Sequence, residues 1–152
     1  MIKKNTIIIS LIFILTSCGF TPIYLNNNNI NFSIEQVDYI GDKELNNFLK
    51  IQLNKYKKKD VDDKIYIEVE SVYNKSVLSK NEAGEVTNYE LKVEVTFLVK
   101  STNRKIKITE KKIIESMDDK FEETRKERSI KQSFAYSISN KFKSELINTN
   151  DL

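Results

Sequence analysis

Apolar and polar positions follow two rhythms from residue 30 onward. Ile30, Phe32 and Ile34 share one face of an extended segment reaching about residue 38, the period of two that a half-buried strand requires. Gly41-Asp42 breaks that rhythm, and Asp42 is placed to cap a helix running to about residue 58. Along this helix Leu45, Phe48, Leu49, Gln52, Leu53 and Tyr56 recur at three-and-four spacing. Lys55, Lys57, Lys58 and Lys59 gather at its C-terminal end, where cations complement the helix dipole.

Three more strands follow. Ile65, Ile67, Val69, Ser71 and Tyr73 alternate with Tyr66, Glu68, Glu70, Val72 and Asn74. Tyr89, Leu91, Val93, Val95, Phe97 and Val99 then alternate with Glu90, Lys92, Glu94, Thr96, Leu98 and Lys100. One face is apolar and the other charged, as in an antiparallel sheet covered on one side. Residues 78–88 read as a polar loop between these strands, and residues 101–104 as a tight connection to a fourth. In the fourth strand Ile106 and Ile108 share a parity that Glu110 and Lys112 then occupy, which predicts a bulge or twist there. A long helix over about 119–147 closes the chain: Asp119 and Glu122 have capping-box spacing, and Ile130, Phe134, Ile138, Phe142 and Leu146 recur every fourth residue. The expected fold is α+β: a two-layer sandwich, βαβββα, whose four-stranded, mainly antiparallel sheet carries two helices on one face.

The first 29 residues obey neither rhythm. Lys3 and Lys4 precede an apolar run from Ile7 to Leu15, about the length of a signal-peptide core and roughly half of what a membrane-spanning helix needs. The only cysteine, Cys18, follows directly, and the only proline is Pro22. Leu15-Thr16-Ser17-Cys18 resembles the lipobox of bacterial lipoproteins. That resemblance implies removal of residues 1–17, diacylglycerol on the Cys18 sulfur and an acylated amine. It would consume the one thiol as a thioether, and two or more acyl chains anchor a protein stably where one is marginal. Residues 18–29 then form a lipidated N-terminus and tether, and residues 30–152 a single domain.

Composition narrows the function. The formal charge of +3 falls to +1 once Lys3 and Lys4 are removed, so there is no electrostatic case for nucleic-acid binding. The chain has no histidine and just three glycines, so common transition-metal ligand sets, nucleophile–base pairs and glycine-rich phosphate loops have no material. The expectation is a protein that is not an enzyme and that carries no cofactor or metal.

Cys18-Gly19-Phe20-Thr21-Pro22-Ile23-Tyr24 resembles the opening C-G-F-x-P-[LI]-Y of the alphaproteobacterial branch of the LPS-assembly lipoprotein family LptE. Residues 86–91 (VTNYEL) and 121–146 are similar to that family's third strand and closing helix, although Ser129, Ser133 and Ser137 stand where the family favours alanine. The resemblance implies a lipid-anchored outer-membrane lipoprotein that sits in, and helps assemble, an LptD β-barrel and contacts lipopolysaccharide. Gly19 in place of the aspartate that retains lipoproteins at the inner membrane favours outer-membrane sorting. Under this reading Cys18 is the lipidation site. Basic residues near strand ends, Lys75, Lys80, Arg104, Lys105 and Lys107, become candidate contacts for lipid A phosphates. Two other classes stay open: a periplasmic adaptor lipoprotein of another envelope machine (barrel assembly or a transporter auxiliary), and a small lipid carrier.

Overall fold

A computed structural model describes residues 32–59, 61 and 63–148, all within the compact unit Asn31–Leu152. Cys18, the predicted signal segment, the tether and Ile30 lie outside the described residues. The element order is β1 (Phe32–Gly41), α1 (Lys43–Leu53), a 3₁₀ turn (Asn54–Tyr56), β2 (Asp63–Lys80), β3 (Val86–Val99), β4 (Arg104–Glu115) and α2 (Lys120–Asn148). The four strands lie in sequence order, with β1 parallel to β2 and both later pairs antiparallel. α1 packs on β1, β2 and α2, and α2 packs on β3 and β4. The α+β sandwich expected from the periodicities is the fold observed.

Rows of side chains across the helix-covered face show how the core is built. Tyr39, Val69, Phe97 and Ile106 form one row; Gly41, Ser71, Val95 and Ile108 form the next. Leu45, Leu49 and Leu53 from α1, with Phe134, Ile138, Phe142 and Leu146 from α2, close over them and are buried. Phe97 and Phe142 stack at 4.0 Å between ring centroids. Each fully buried side chain of this size contributes roughly 2 kcal/mol. Above these rows the same face turns polar: Tyr73–Val93–Glu110, then Lys75–Leu91–Lys112.

Four expectations need correction. The polar stretch 78–88 is mostly strand, with only residues 81–85 forming the turn. Its polar side chains satisfy one another across the ladder: Ser79 with Thr87 at 2.7 Å, and Asn88 Nδ2 donating to Ser79 Oγ at 2.8 Å. No bulge interrupts β4 at Glu110 or Lys112, where pairing with β3 is unbroken. Glu110 is tolerated on the inner face because Ser137 (2.8 Å) and Lys141 of α2 donate to its carboxylate. The bulges lie instead between Gln36 and Asp38, and between Val77 and Lys80. α1 ends at Leu53 and tightens into the 3₁₀ turn. Finally, the capping box at α2 is half made. Asp119 Oδ1 accepts from the amides of Phe121 (2.8 Å) and Glu122 (3.3 Å), while Glu122 itself pairs with Arg125.

The step from β1 into α1 is the tightest point of the fold. Gly41 has φ +104°, and a Cβ there would lie 1.7 Å from the Ser71 carbonyl oxygen. That carbonyl accepts the Asp42 amide at 3.2 Å, and Asp42 Oδ1 caps α1 through the Leu45 amide at 2.7 Å. Below the turn, Ser71 Oγ donates to Asn46 Oδ1 at 2.8 Å and Asn46 Nδ2 donates to the Ile40 carbonyl at 3.2 Å. Gly41→Ala should therefore cost roughly 3 kcal/mol through strain and collision. Gly84→Ala, whose φ of +83° faces open space, should cost only about 1 kcal/mol. Denaturant unfolding of the two variants measures the difference, and equal losses would contradict a collision at this turn.

Candidate functional site

Two surfaces carry the charged chemistry of the domain. On the face away from the helices, Glu68, Glu70, Glu90 and Glu94 of β2 and β3 meet Lys105, Lys107 and Lys111 of β4. The pairing is local. Glu94 receives Lys107 at 2.8 Å and also Lys92. Lys111 reaches Glu90 at 3.2 Å, and Lys100 lies 3.5 Å from both Asp38 and Glu68. Hydrogen bonds from Lys107, then Lys92, hold the Glu94 carboxyl down at about 2. The face is mostly charged and close to neutral by internal pairing, with Tyr66, Val72 and Ile113 exposed among the charges.

The second surface lies under the first turns of α2. Glu123, Glu127 and Lys131 stand four residues apart, so they share one helix face, and that face meets Tyr73 and Lys75 of β2. Lys75 Nζ contacts Glu123 and Glu127, each at 2.9 Å, and lies 4.5 Å from the Tyr89 ring centroid. The Tyr73 hydroxyl donates to Glu127 at 2.6 Å. Lys131, its side chain only 10% exposed, sits 4.0 Å over the Tyr73 ring and reaches Glu44 at 3.2 Å and Asp42 at 3.5 Å. Glu123, 7% exposed at its side chain, also accepts from the Met117 amide at 3.0 Å and from Lys120 at 3.2 Å. Hence the upper end of α2 is fixed by charge, not by oil.

The ionisation of this network follows from its partners. The Met117 amide, then Lys75, holds Glu123 down at about 2. Burial pushes Glu127 up, but the Tyr73 hydroxyl and Lys75 outweigh it and leave the carboxyl below its ordinary value. Burial pulls Lys75 down, yet Glu123 and Glu127 prevail and raise it. Tyr73 is raised by burial first and by Glu127 second. Sequence reading missed this cluster, although its signal was present: Tyr73, Lys75, Glu110 and Lys112 break the apolar parity of β2 and β4 opposite charged positions of α2.

The five candidate phosphate contacts do not converge. Lys75 is on the helix side and held by two carboxylates. Lys80 stands at the hairpin tip, while Arg104 and Lys105 begin β4 at the opposite end of β3, roughly 40 Å away along the strand. Arg104 lies 3.5 Å from Glu145, and Lys107 is paired with Glu94. A shallow groove between β4 and α2 is lined by Lys107, Thr109, Tyr136, Asn140, Lys141 and Ser144, among others. Among the described residues there is no His/Cys/Asp/Glu group able to hold a metal ion, and no helix long and apolar enough to cross a membrane.

Lowered folded-state values for Glu123 and Glu127 mean that the unfolded chain binds more protons than the folded one in acid. The stability they contribute is present above the ordinary carboxylate range and is lost as pH falls toward about 2. Glu123→Gln should remove on the order of 1–2 kcal/mol at neutral pH, after allowance for solvent screening, and flatten the acid limb of a stability–pH curve. An acid limb identical to that of the unaltered chain would show that the network contributes nothing.

No protein-family model and no curated protein matches the sequence, but solved structures do. The crystal structure of rare lipoprotein B from Shewanella oneidensis aligns with TM-score 0.53 at 17% identity, over 76% of this chain and 96% of that one. A minor lipoprotein from Acinetobacter baumannii aligns with TM-score 0.50 at 15% identity, over 72% and 91%. At such identities the likeness is one of fold, and it spans about three-quarters of this chain and nearly the whole of each of the other two. The chain has the fold of rare lipoprotein B.

Proposed function

We propose that this chain is a lipid-anchored outer-membrane lipoprotein that partners and plugs an LptD-like β-barrel in lipopolysaccharide assembly. The observation that carries the reading is the fold shared with rare lipoprotein B across 96% of that protein. The sequence Cys18-Gly19-Phe20-Thr21-Pro22-Ile23-Tyr24 supports it independently, since the thioether-forming cysteine and its flank resemble the LptE opening. The outer sheet face suits the role as well. A large barrel has a polar, water-filled lumen, and a plug that offers internally paired carboxylates and lysines meets such a wall without burying an unpaired charge. Two acyl chains at Cys18 would hold the domain at the membrane surface. Direct contact with lipopolysaccharide phosphates belongs to the same proposal. The exposed Lys80 and Lys105 suit it better than Lys75, whose charge is already engaged by Glu123 and Glu127.

The test is affinity purification of the tagged full chain from native membranes in mild detergent, with co-purifying proteins identified by mass spectrometry. A large outer-membrane barrel at near one-to-one stoichiometry is expected, and the N-terminal peptide of the purified chain should begin at Cys18 and carry acyl mass that Cys18→Ala loses. Recovery of the chain alone or with an inner-membrane transporter, or a Cys18 without acyl mass in the unaltered chain, would count against the proposal.

A further inference from the structure

The lysines around α1 exceed what its dipole calls for. Residues 43–59 hold Lys43, Lys50, Lys55, Lys57, Lys58 and Lys59 against one acid, Glu44, a net charge of +5. The chain from Cys18 onward carries +1 in total, so everything outside this segment sums to −4. Counting on through Asp60, Asp62, Asp63 and Lys64 still leaves residues 43–64 at +3. A helix dipole favours cations in the last turn, which accounts for Lys50. Lys43 stands instead at the first helical position, and Lys57 to Lys59 follow the helix and its 3₁₀ turn.

These residues form one surface. Lys43, Asn47, Lys50, Ile51, Asn54 and Lys55 recur at three-and-four spacing and are all exposed, so they make the solvent stripe of α1, opposite the buried Leu45, Leu49 and Leu53. Ile51, 58% exposed, is its one apolar member. Among the described residues no carboxylate pairs with Lys43, Lys50, Lys55 or Lys59. Glu44 is already engaged by Lys131 at 3.2 Å and Arg128 at 3.3 Å. Lys57 pairs with Glu35 of β1 at 2.8 Å, and the Lys58 amide donates to Ser33 Oγ at 2.9 Å. The basic end of α1 is thus fastened beside the start of β1, where the chain from Cys18 enters the described domain. The 13 residues between Cys18 and Phe32 span at most roughly 45 Å.

We propose that this stripe docks on anionic phospholipid headgroups and turns α1 toward the membrane that holds Cys18. An anionic leaflet attracts lysines near its surface, while their aliphatic stems and Ile51 lie at headgroup depth. A basic helix face with an embedded apolar residue is the pattern of a helix that lies on a membrane. The tether keeps the stripe close to the bilayer, so individually weak contacts act together. The negative remainder of the chain is repelled by the same leaflet, and both effects orient the domain in one sense. The proposal rests on the lipid anchor at Cys18 and not on a barrel partner, and it describes the chain when no barrel encloses it.

Asn47→Cys on the stripe and Thr109→Cys on the outer sheet face are introduced singly into the full chain, labelled with a fluorophore and reconstituted into vesicles carrying a headgroup-linked quencher. The unaltered chain sets the labelling baseline for Cys18. The vesicles are phosphatidylcholine alone, or phosphatidylcholine with about 30% of anionic phosphatidylglycerol. On the anionic vesicles the Asn47 probe should be quenched about twofold more than the Thr109 probe, and the excess should vanish near 1 M salt, where the screening length falls to about 3 Å. Each lysine near such a surface shifts the docked population about fivefold. Lys50→Glu, Lys55→Glu and Lys59→Glu together should therefore abolish the excess. Lys80→Glu, Lys112→Glu and Lys126→Glu, equal in charge and exposed elsewhere, should leave it. Retention on neutral vesicles reports the anchor separately. The proposal is overturned if, retained or not, the Asn47 probe is quenched equally on the two lipids, or if the two triple variants behave alike. Shielding of the Asn47 probe from aqueous iodide on neutral vesicles would mean that protein covers the stripe, and would overturn it equally.

Discussion

The close approach of Gly41 to the Ser71 carbonyl determines where the sheet ends and the helices begin. With φ at +104° and no room for a Cβ, the chain leaves the sheet after ten residues of β1 and is capped into α1 by Asp42. α1 is thereby brought back over the lower part of the sheet, where Leu45, Leu49 and Leu53 meet Phe32, Ile34 and the apolar rows of β2. Because β1 stops there, the upper part of β2 has, among the described residues, one neighbouring strand instead of two. The turn thus sets the extent of the core.

That division is repeated in α2. Its C-terminal half buries Phe134, Ile138, Phe142 and Leu146 against β3 and β4, and dispersion with apolar burial holds it. In its N-terminal half Ile130 is the one large apolar side chain buried, and Glu123, Glu127 and Lys131 bind Tyr73, Lys75, Asp42 and Glu44. Ion pairs of this kind, part-buried and sharing partners, fix geometry more than they add net stability. They keep a 29-residue helix in one register over a sheet that is apolar for only part of its length. For a domain proposed to sit within a barrel, a helix located by directional contacts and an outer face of paired charges suit the same polar surroundings.

Much of this was legible in the sequence, for reasons specific to each element. β3 alternates without a fault from Tyr89 to Val99, so its strand and its two faces followed from period alone. The α2 stripe from Ile130 to Leu146 was equally plain. What failed were positions where a polar residue on the inner face had an unseen partner. Glu110 looked like a break in β4 because its donors, Ser137 and Lys141, lie 27 and 31 residues away. Stretch 78–88 looked like a loop because it holds Lys80, Glu82, Gly84 and Glu85, but Ser79, Thr87 and Asn88 bond to one another within the ladder and extend both strands into it. Lys75 looked like a free phosphate contact because its two carboxylates sit on a helix 48 and 52 residues later. Periodicity reports burial, and it is silent about which buried polar groups have found each other.

α2 is held by oil at one end and by charge at the other. Residue-resolved amide hydrogen exchange on the full chain, at low and high salt, tests that division most directly. Slow, salt-insensitive exchange is expected for amides from Ile138 to Leu146, with faster exchange from Glu123 to Lys131 that accelerates as salt screens the network. Uniform protection along the helix, unmoved by salt, would contradict it.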